Sequence, residues 1–105
     1  MAMVFIETPI FTAQILGLMP DRSYAAFQLY LALNPKAGDV IQGTGGLRKV
    51  RWNVPGRGKS GGVRVIYFHV SADRQIRLLL VYRKGIKDDL SGQEKKALRE
   101  LNAKW

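Results

Sequence analysis

The sequence predicts an α+β domain in the order β-α-α-β-β-β-α, with an N-terminal helical hairpin packed on a mostly antiparallel sheet. Two observations predict this fold class. Apolar residues repeat at helical spacing near both ends of the chain, whereas residues 47–83 alternate or run continuously apolar, as strands do. The chain has 105 residues, 47% of them hydrophobic, and shows no repeat or linker. We therefore expect a single domain over residues 1–105, with one small core.

The first third of the chain carries signals for one strand and two helices. Met3–Glu7 is short, apolar and partly β-branched, which is typical of a strand. Thr8 followed by proline predicts a helix start, and this helix ends near Gly17. A second helix begins at Pro20-Asp21 and stops at Asn34-Pro35. The short link predicts a helical hairpin. Its expected buried stripes are Phe11, Ile15 and Leu18, then Tyr24, Phe27 and Leu31.

The rest of the chain predicts a three-stranded meander and a last helix. Residues 36–46 are mostly loop, with a short extended piece at Val40-Ile41, and residues 47–53 alternate apolar and basic. A glycine-rich loop over 54–61 precedes strands 62–71 and 75–83, which a turn at residues 72–74 joins. Ser91 and Glu94 match a capping box at the start of the last helix. Its expected apolar stripe is Ala97, Leu98 and Leu101. Trp52 and Tyr67 are interpreted as core residues, with base stacking as the alternative.

Positive charge is concentrated between residues 48 and 84. This segment holds ten lysines and arginines and a single acid, Asp73. The acids and bases in the rest of the chain cancel, so the segment carries the whole net charge of +9. A block of like charge repels itself in a compact fold unless an anion binds there. Nucleic acid is the commonest partner of such a block. The candidate contact residues for RNA are Arg48, Lys49, Arg51 and Arg83.

The alternation of side chains along each strand indicates which of these basic residues lie next to one another. A turn centred on Asp73 pairs Arg64 with Tyr82 and sets Gly62 beside Lys84, while a loop centred near Arg57-Gly58 pairs Arg51 with Arg64. Like charges directly opposite each other are unfavourable in a sheet. The row of Arg51, Arg64 and Tyr82 therefore predicts a phosphate site, with Arg57, Lys59 and Lys84 at the same end of the sheet.

Several classes of site and location are excluded by composition. The chain has no cysteine and one histidine, His69, so Cys- or His-based metal sites are not expected. Asp88 and Asp89 precede the last helix, where negative charge suits the helix dipole. We expect no metal and no other cofactor. No stretch approaches the ~20 apolar residues of a membrane span, and no signal-peptide pattern begins the chain. The expected location is the cytoplasm.

The central motifs resemble the RelE/HigB toxins of type II toxin–antitoxin modules, in the RelE/ParE superfamily. The resemblance rests on residues 43–52 (GTGGLRKVRW) and 56–67 (GRGKSGGVRVIY). It extends through residues 82–84 (YRK), 87–91 (KDDLS) and Glu94. Further matching positions are Tyr24, Gln28, Pro35, Gly38 and Asp39. One departure follows Lys84, where this chain has Gly85-Ile86 and the family often has Asn-Glu.

The resemblance implies a RelE-like fold and a bacterial endoribonuclease that cuts mRNA on the ribosome without a metal. It implies three partners: the ribosome, mRNA and a cognate antitoxin. The antitoxin would be HigA/RelB-like, with a helix-turn-helix or a disordered segment. The family's strand arginine matches Arg64 and its late basic position matches Lys84. Its upstream basic residues map onto Arg57 and Lys59, or onto Lys49 and Arg51.

The implied chemistry needs a base for the 2′-hydroxyl, charge at the phosphorus and an acid for the 5′-oxygen. Arg64 suits the phosphate because guanidinium binds it bidentately. Lys59 or Lys84 suits proton transfer, and Tyr82 suits stacking on a splayed base. Two alternatives remain open: a non-catalytic RNA- or ribosome-binding module, and a gyrase-poisoning ParE-type toxin of the same fold.

Overall fold

The computed structural model describes residues 3–54, 62–87 and 89–105. Within these residues it is an α+β fold with three α-helices and a five-stranded mixed sheet, which confirms the predicted class. The elements are β1 (Val4–Glu7), α1 (Pro9–Leu18), α2 (Asp21–Leu33), β2 (Asp39–Val40), β3 (Arg48–Asn53), β4 (Gly62–Val70), β5 (Gln75–Arg83) and α3 (Gly92–Ala103). The two-residue β2 overlaps the predicted extended piece at Val40-Ile41, although the predicted element order did not count it as a strand. No helix among the described residues is long and apolar enough to cross a membrane.

The sheet has the order β1-β5-β4-β3-β2, and only β1 runs parallel to its neighbour. The predicted pairings are confirmed where the basic residues lie: Arg51 is opposite Arg64, and Arg64 is opposite Tyr82. The Lys84 N–H donates to the Gly62 carbonyl at 2.9 Å. The alternation of the two strands and the position of the turn were therefore sufficient to set this register.

The predicted β4–β5 register is wrong in the half of the hairpin nearest the turn. Ile66 pairs with Leu80, but Tyr67 pairs with Leu78, so Leu79 is the extra residue of a bulge. The Leu79 carbonyl instead accepts from the hydroxyl of Thr8 at 2.7 Å, and the same hydroxyl accepts from the Phe11 N–H. The N-cap residue of α1 thus provides a hydrogen-bond donor for the carbonyl at the bulge. The residue pattern of β5 alone gives no sign of this contact.

The helical hairpin covers one face of the sheet. Phe11 and Ile15 of α1 and Phe27 and Leu31 of α2 are buried, as predicted, while Leu18 and Tyr24 are half-buried. Trp52 and Tyr67 belong to this face, as expected of core residues. The Trp52 indole donates to Ser23 Oγ, and the Tyr67 hydroxyl donates to the Pro35 carbonyl. Because both polar groups already have hydrogen-bond partners inside the protein, packing alone explains the positions of Trp52 and Tyr67.

Helix α3 covers only part of the opposite face. The predicted capping box between Ser91 and Glu94 is present. The predicted stripe is wrong for Ala97 and Leu101, which are exposed, because α3 reaches the sheet mainly through Leu98. At its C-terminal end Arg77 donates to Asn102, and the Trp105 ring lies 5.1 Å from the guanidinium. Among the described residues, α3 does not extend over the end of the sheet near Arg51 and Arg64.

Replacing Gly38 with alanine is expected to destabilise the fold by about 1–3 kcal/mol, because the surrounding atoms leave no room for the added methyl group. A Cβ there would lie 2.8 Å from the Lys49 carbonyl oxygen and 2.9 Å from Tyr67 Cε1. The matched control is Gly17→Ala in α1, where a Cβ meets nothing within 4 Å and helix propensity improves. Thermal unfolding should show a lower Tm for the first variant only, by about 4–8 °C per kcal/mol. An unchanged Tm for Gly38→Ala would contradict this packing.

Candidate functional site

A pocket of about 310 Å³ lies on the α3 face of the sheet, and nearly all of the described residues that line it are charged. We call it the cationic pocket. Of the described residues in its lining, five are basic and one is acidic. It is lined by Lys49, Arg51, Arg64, Lys84, Gly85, Lys87 and Asp89.

Strand geometry explains why four of these cations meet. Lys49 and Arg51 are two residues apart on β3 and so share a face. Arg64 lies directly opposite Arg51 on β4. Lys84 follows Tyr82 by two residues, so it lies on the same face beside Gly62, just beyond the end of β5. Because like charges opposite each other destabilise a sheet, this arrangement favours an anion bound between them.

Two carboxylates neutralise part of the pocket. Lys49 Nζ lies 2.7 Å from Asp89 Oδ1, and Lys87 forms an ion pair with Glu94. The Lys49 ammonium holds the pKa of Asp89 below its usual range, and Lys87 does the same for the pKa of Glu94. These are the only ion pairs among residues 3–54, 62–87 and 89–105. Within that part of the chain, Arg51, Arg64 and Lys84 therefore have no carboxylate within 4.0 Å.

Tyr82 is placed beside Arg64 as predicted, but its ring is buried. Only 6% of the residue is exposed, and Lys87 Nζ lies 5.1 Å from the ring centroid. This conformation leaves no open ring face for a splayed base. Its hydroxyl is buried and has no hydrogen-bond partner among the described residues. Burial raises the pKa of this hydroxyl, and the positive charges of Lys49 and Lys87 oppose that effect.

Two other sequence-predicted residues, Arg48 and Arg83, lie on the opposite face of the sheet. Arg48 lies on the hairpin face, where Nη1 donates to the Gly38 carbonyl at 2.7 Å and to the Lys36 carbonyl. Arg83 also falls on that face, opposite Val63, and is exposed. Arg57 and Lys59 lie outside the described residues. The structure thus brings together Lys49, Arg51, Arg64 and Lys84, with Tyr82 beneath them.

Sequence reasoning missed two pocket residues, Lys87 and Asp89. Gly85 adopts φ +91°, a conformation that side chains other than glycine rarely take, and the Ile86 N–H donates back to the Arg83 carbonyl. This reversal makes Lys87 the bridge partner of Lys84. The signal was the Gly85-Ile86 departure that follows Lys84 in the sequence. Asp89 was interpreted only as a helix-dipole charge, whereas its carboxylate binds Lys49 across the pocket.

The arrangement suits a phosphate better than a metal ion. Arginine and lysine donors converge on one cavity, and guanidinium groups bind phosphate oxygens bidentately. Among the described residues, no group of three or more histidine, aspartate or glutamate side chains could hold a metal. The pocket can therefore hold a polyanion's backbone and neutralise charge that develops on a phosphorus.

A comparison with protein families identifies the family of this chain. Residues 31–105 match the family model described as the RelE toxin of the RelE / RelB toxin–antitoxin system. The match covers strands β2 to β5, helix α3 and every residue of the cationic pocket. A cognate antitoxin is the partner that this family implies. The chain therefore belongs to the RelE toxin family and is a toxin of a toxin–antitoxin module.

Proposed function

We propose that this toxin is an endoribonuclease that cleaves mRNA on the translating ribosome, in the cytoplasm, and so arrests translation and growth. The observation that carries the proposal is the opposition of Arg51 and Arg64 in a pocket with three further cations. A non-catalytic binding surface gains affinity from cations spread along a groove. A cavity that gathers them around one position is suited to stabilising charge on a single phosphate.

The residues of the pocket divide the chemistry between them. Arg64 and Arg51 hold the scissile phosphate and stabilise its transition state. The 2′-oxygen attacks phosphorus, the bond to the 5′-oxygen breaks, and the 2′-hydroxyl proton leaves to a base while an acid protonates the 5′-oxygen. Lys84 is the pocket lysine without a described carboxylate partner, so we assign it to proton transfer. Lys59 remains the second candidate for this role.

The expected partners follow from the same pocket. We propose that the antitoxin is HigA- or RelB-like and that it presents an acidic or amphipathic segment, because a cluster of cations is silenced most directly by carboxylates. The ribosome orients mRNA so that one phosphate enters the cavity. No metal or other cofactor has a part in the proposed reaction.

Brief induction of the toxin is expected to produce new 5′ ends inside translated regions of transcripts. The measurement is a primer-extension map of several mRNAs, compared with uninduced cells and with cells that co-express the antitoxin. In a purified system the same ends should appear only when ribosomes translate the message. Intact transcripts in growth-arrested cells would contradict cleavage and favour the non-catalytic alternative.

A further inference from the structure

A second cavity, of about 530 Å³, lies at the edge of the sheet beside the cationic pocket. We call it the edge pocket. It shares Lys49 and Arg51 with the cationic pocket, so these two residues lie between the cavities. It is lined by Tyr30, Ala37, Asp39, Lys49, Val50 and Arg51. A chain whose phosphate lies at Arg51 can therefore place its next group in the edge pocket.

The strand that forms this edge is only partly covered. β2 pairs with Arg48 and Lys49 of β3, and no described strand lies beyond residues 50–53 on that side. Peptide N–H and C=O groups on an unpaired strand edge are available to hydrogen-bond a ligand. The edge pocket therefore offers backbone donors and acceptors next to Lys49 and Arg51.

Tyr30 gives the edge pocket an aromatic wall. The residue is 40% exposed, and its ring packs on Trp52 with centroids 5.7 Å apart. Trp52 is itself held by Phe27, at 5.4 Å, and by its hydrogen bond to Ser23. An exposed ring on a fixed support is a suitable platform for a nucleobase, because stacking then costs little side-chain entropy.

Asp39 gives the edge pocket a hydrogen-bond acceptor. It lies opposite Lys49 in the β2–β3 ladder, but Lys49 is paired with Asp89 instead. Within the described residues Asp39 has no cation within 4.0 Å, and its side chain is exposed. A carboxylate accepts from the exocyclic amino groups of cytosine or adenine, or from the N1–H and N2 amino group of guanine.

We propose that the edge pocket binds the base of the nucleotide that adjoins the phosphate in the cationic pocket. The base stacks on Tyr30, Asp39 accepts from its amino group, and Lys49 and Arg51 hold the phosphate between the two cavities. This inference rests on the proposed function and makes Tyr30 and Asp39 specificity residues for it. An antitoxin strand added to the β3 edge would also use the backbone, but it would not need an aromatic platform continuous with a phosphate site.

The test compares variants of the full-length toxin in two assays. The first is fluorescence anisotropy with a labelled single-stranded RNA of about ten nucleotides. The second is the cleavage map on ribosomes. Tyr30→Ala and Tyr30→Leu are expected to weaken RNA binding roughly 5- to 150-fold, the usual effect of losing one stacked base. Tyr30→Leu keeps apolar contact with Trp52, so it separates stacking from folding. Tyr30→Phe should bind like the parent.

The remaining variants test base choice and surface effects. Asp39→Asn should alter which bases flank the cleaved sites, because an amide presents a donor as well as an acceptor. Leu33→Ala is the control, since Leu33 is 72% exposed on the same helix and lines neither cavity. It should leave both assays unchanged.

The outcomes separate this inference from the proposed function. If the parent cleaves mRNA and Tyr30→Leu keeps its RNA affinity and cleavage map, the edge pocket is overturned and cleavage stands. If RNA binding depends on Tyr30 but messages stay intact, the base site stands and cleavage is overturned. If Tyr30→Leu loses affinity only for the antitoxin, the edge belongs to a protein strand and the inference is overturned.

Discussion

Arg64→Ala is expected to lower mRNA cleavage roughly 10²- to 10³-fold, the usual loss when one preorganised donor to a transition-state oxyanion is removed. Arg64 lies opposite Arg51 and Tyr82, and no described carboxylate competes for its guanidinium. Its side chain is only partly buried, so thermal stability should fall little. Growth after induction, together with ribosome-dependent cleavage of a reporter message, measures the effect.

Two further variants make the Arg64 result specific. Arg64→Lys keeps the charge but loses the bidentate geometry, so cleavage should fall between the parent and the alanine variant. Arg22→Ala removes a matched charge from the exposed surface of α2 and should leave cleavage unchanged. A folded Arg64→Ala toxin that still arrests growth at the parental rate would exclude Arg64 from the reaction.

A message with a single 2′-deoxy nucleotide at the scissile position should not be cut there at all. The proposed nucleophile is the adjacent 2′-hydroxyl, and in the proposed mechanism the cations that line the pocket act on the phosphate rather than on an incoming water. Fragments from the unmodified message should carry a 2′,3′-cyclic or 3′-phosphate on one side and a 5′-hydroxyl on the other. End-group labelling of both fragments reads this directly.

The control for the 2′-deoxy experiment is the same substitution one codon away, which should leave cleavage at the original site intact. This comparison avoids a chelation test, which ribosomes complicate because they need magnesium themselves. Fragments that bear a 5′-phosphate, or normal cutting of the 2′-deoxy site, would show that water is the nucleophile and would refute the proposed mechanism.

Local patterns in the sequence determined most of the fold. The caps at Thr8 and Ser91 start their helices where the residues indicate, because a cap satisfies backbone N–H groups within a few residues of itself. The pairing of Arg51 with Arg64 and of Arg64 with Tyr82 was also readable. Strand alternation has a period of two, so the position of a turn sets which side chains share a face.

Contacts distant in sequence decided the rest. The bulge at Leu79 depends on the hydroxyl of Thr8, 71 residues away in the sequence, and the exposure of Leu101 depends on where α3 meets the sheet. Burial of Tyr82 beneath Lys87 likewise follows from the turn at Gly85.

The candidate site divides in the same way. By itself the sequence determined that Arg51, Arg64 and Lys84 belong to one end of one sheet face, because strand periodicity and turn position are local properties. Only the tertiary structure decided that Lys87 and Asp89 close that pocket and that Tyr30 and Asp39 line its neighbour. Those side chains come from a turn, a helix and an edge strand. Their meeting depends on how separate elements pack, which no local period encodes.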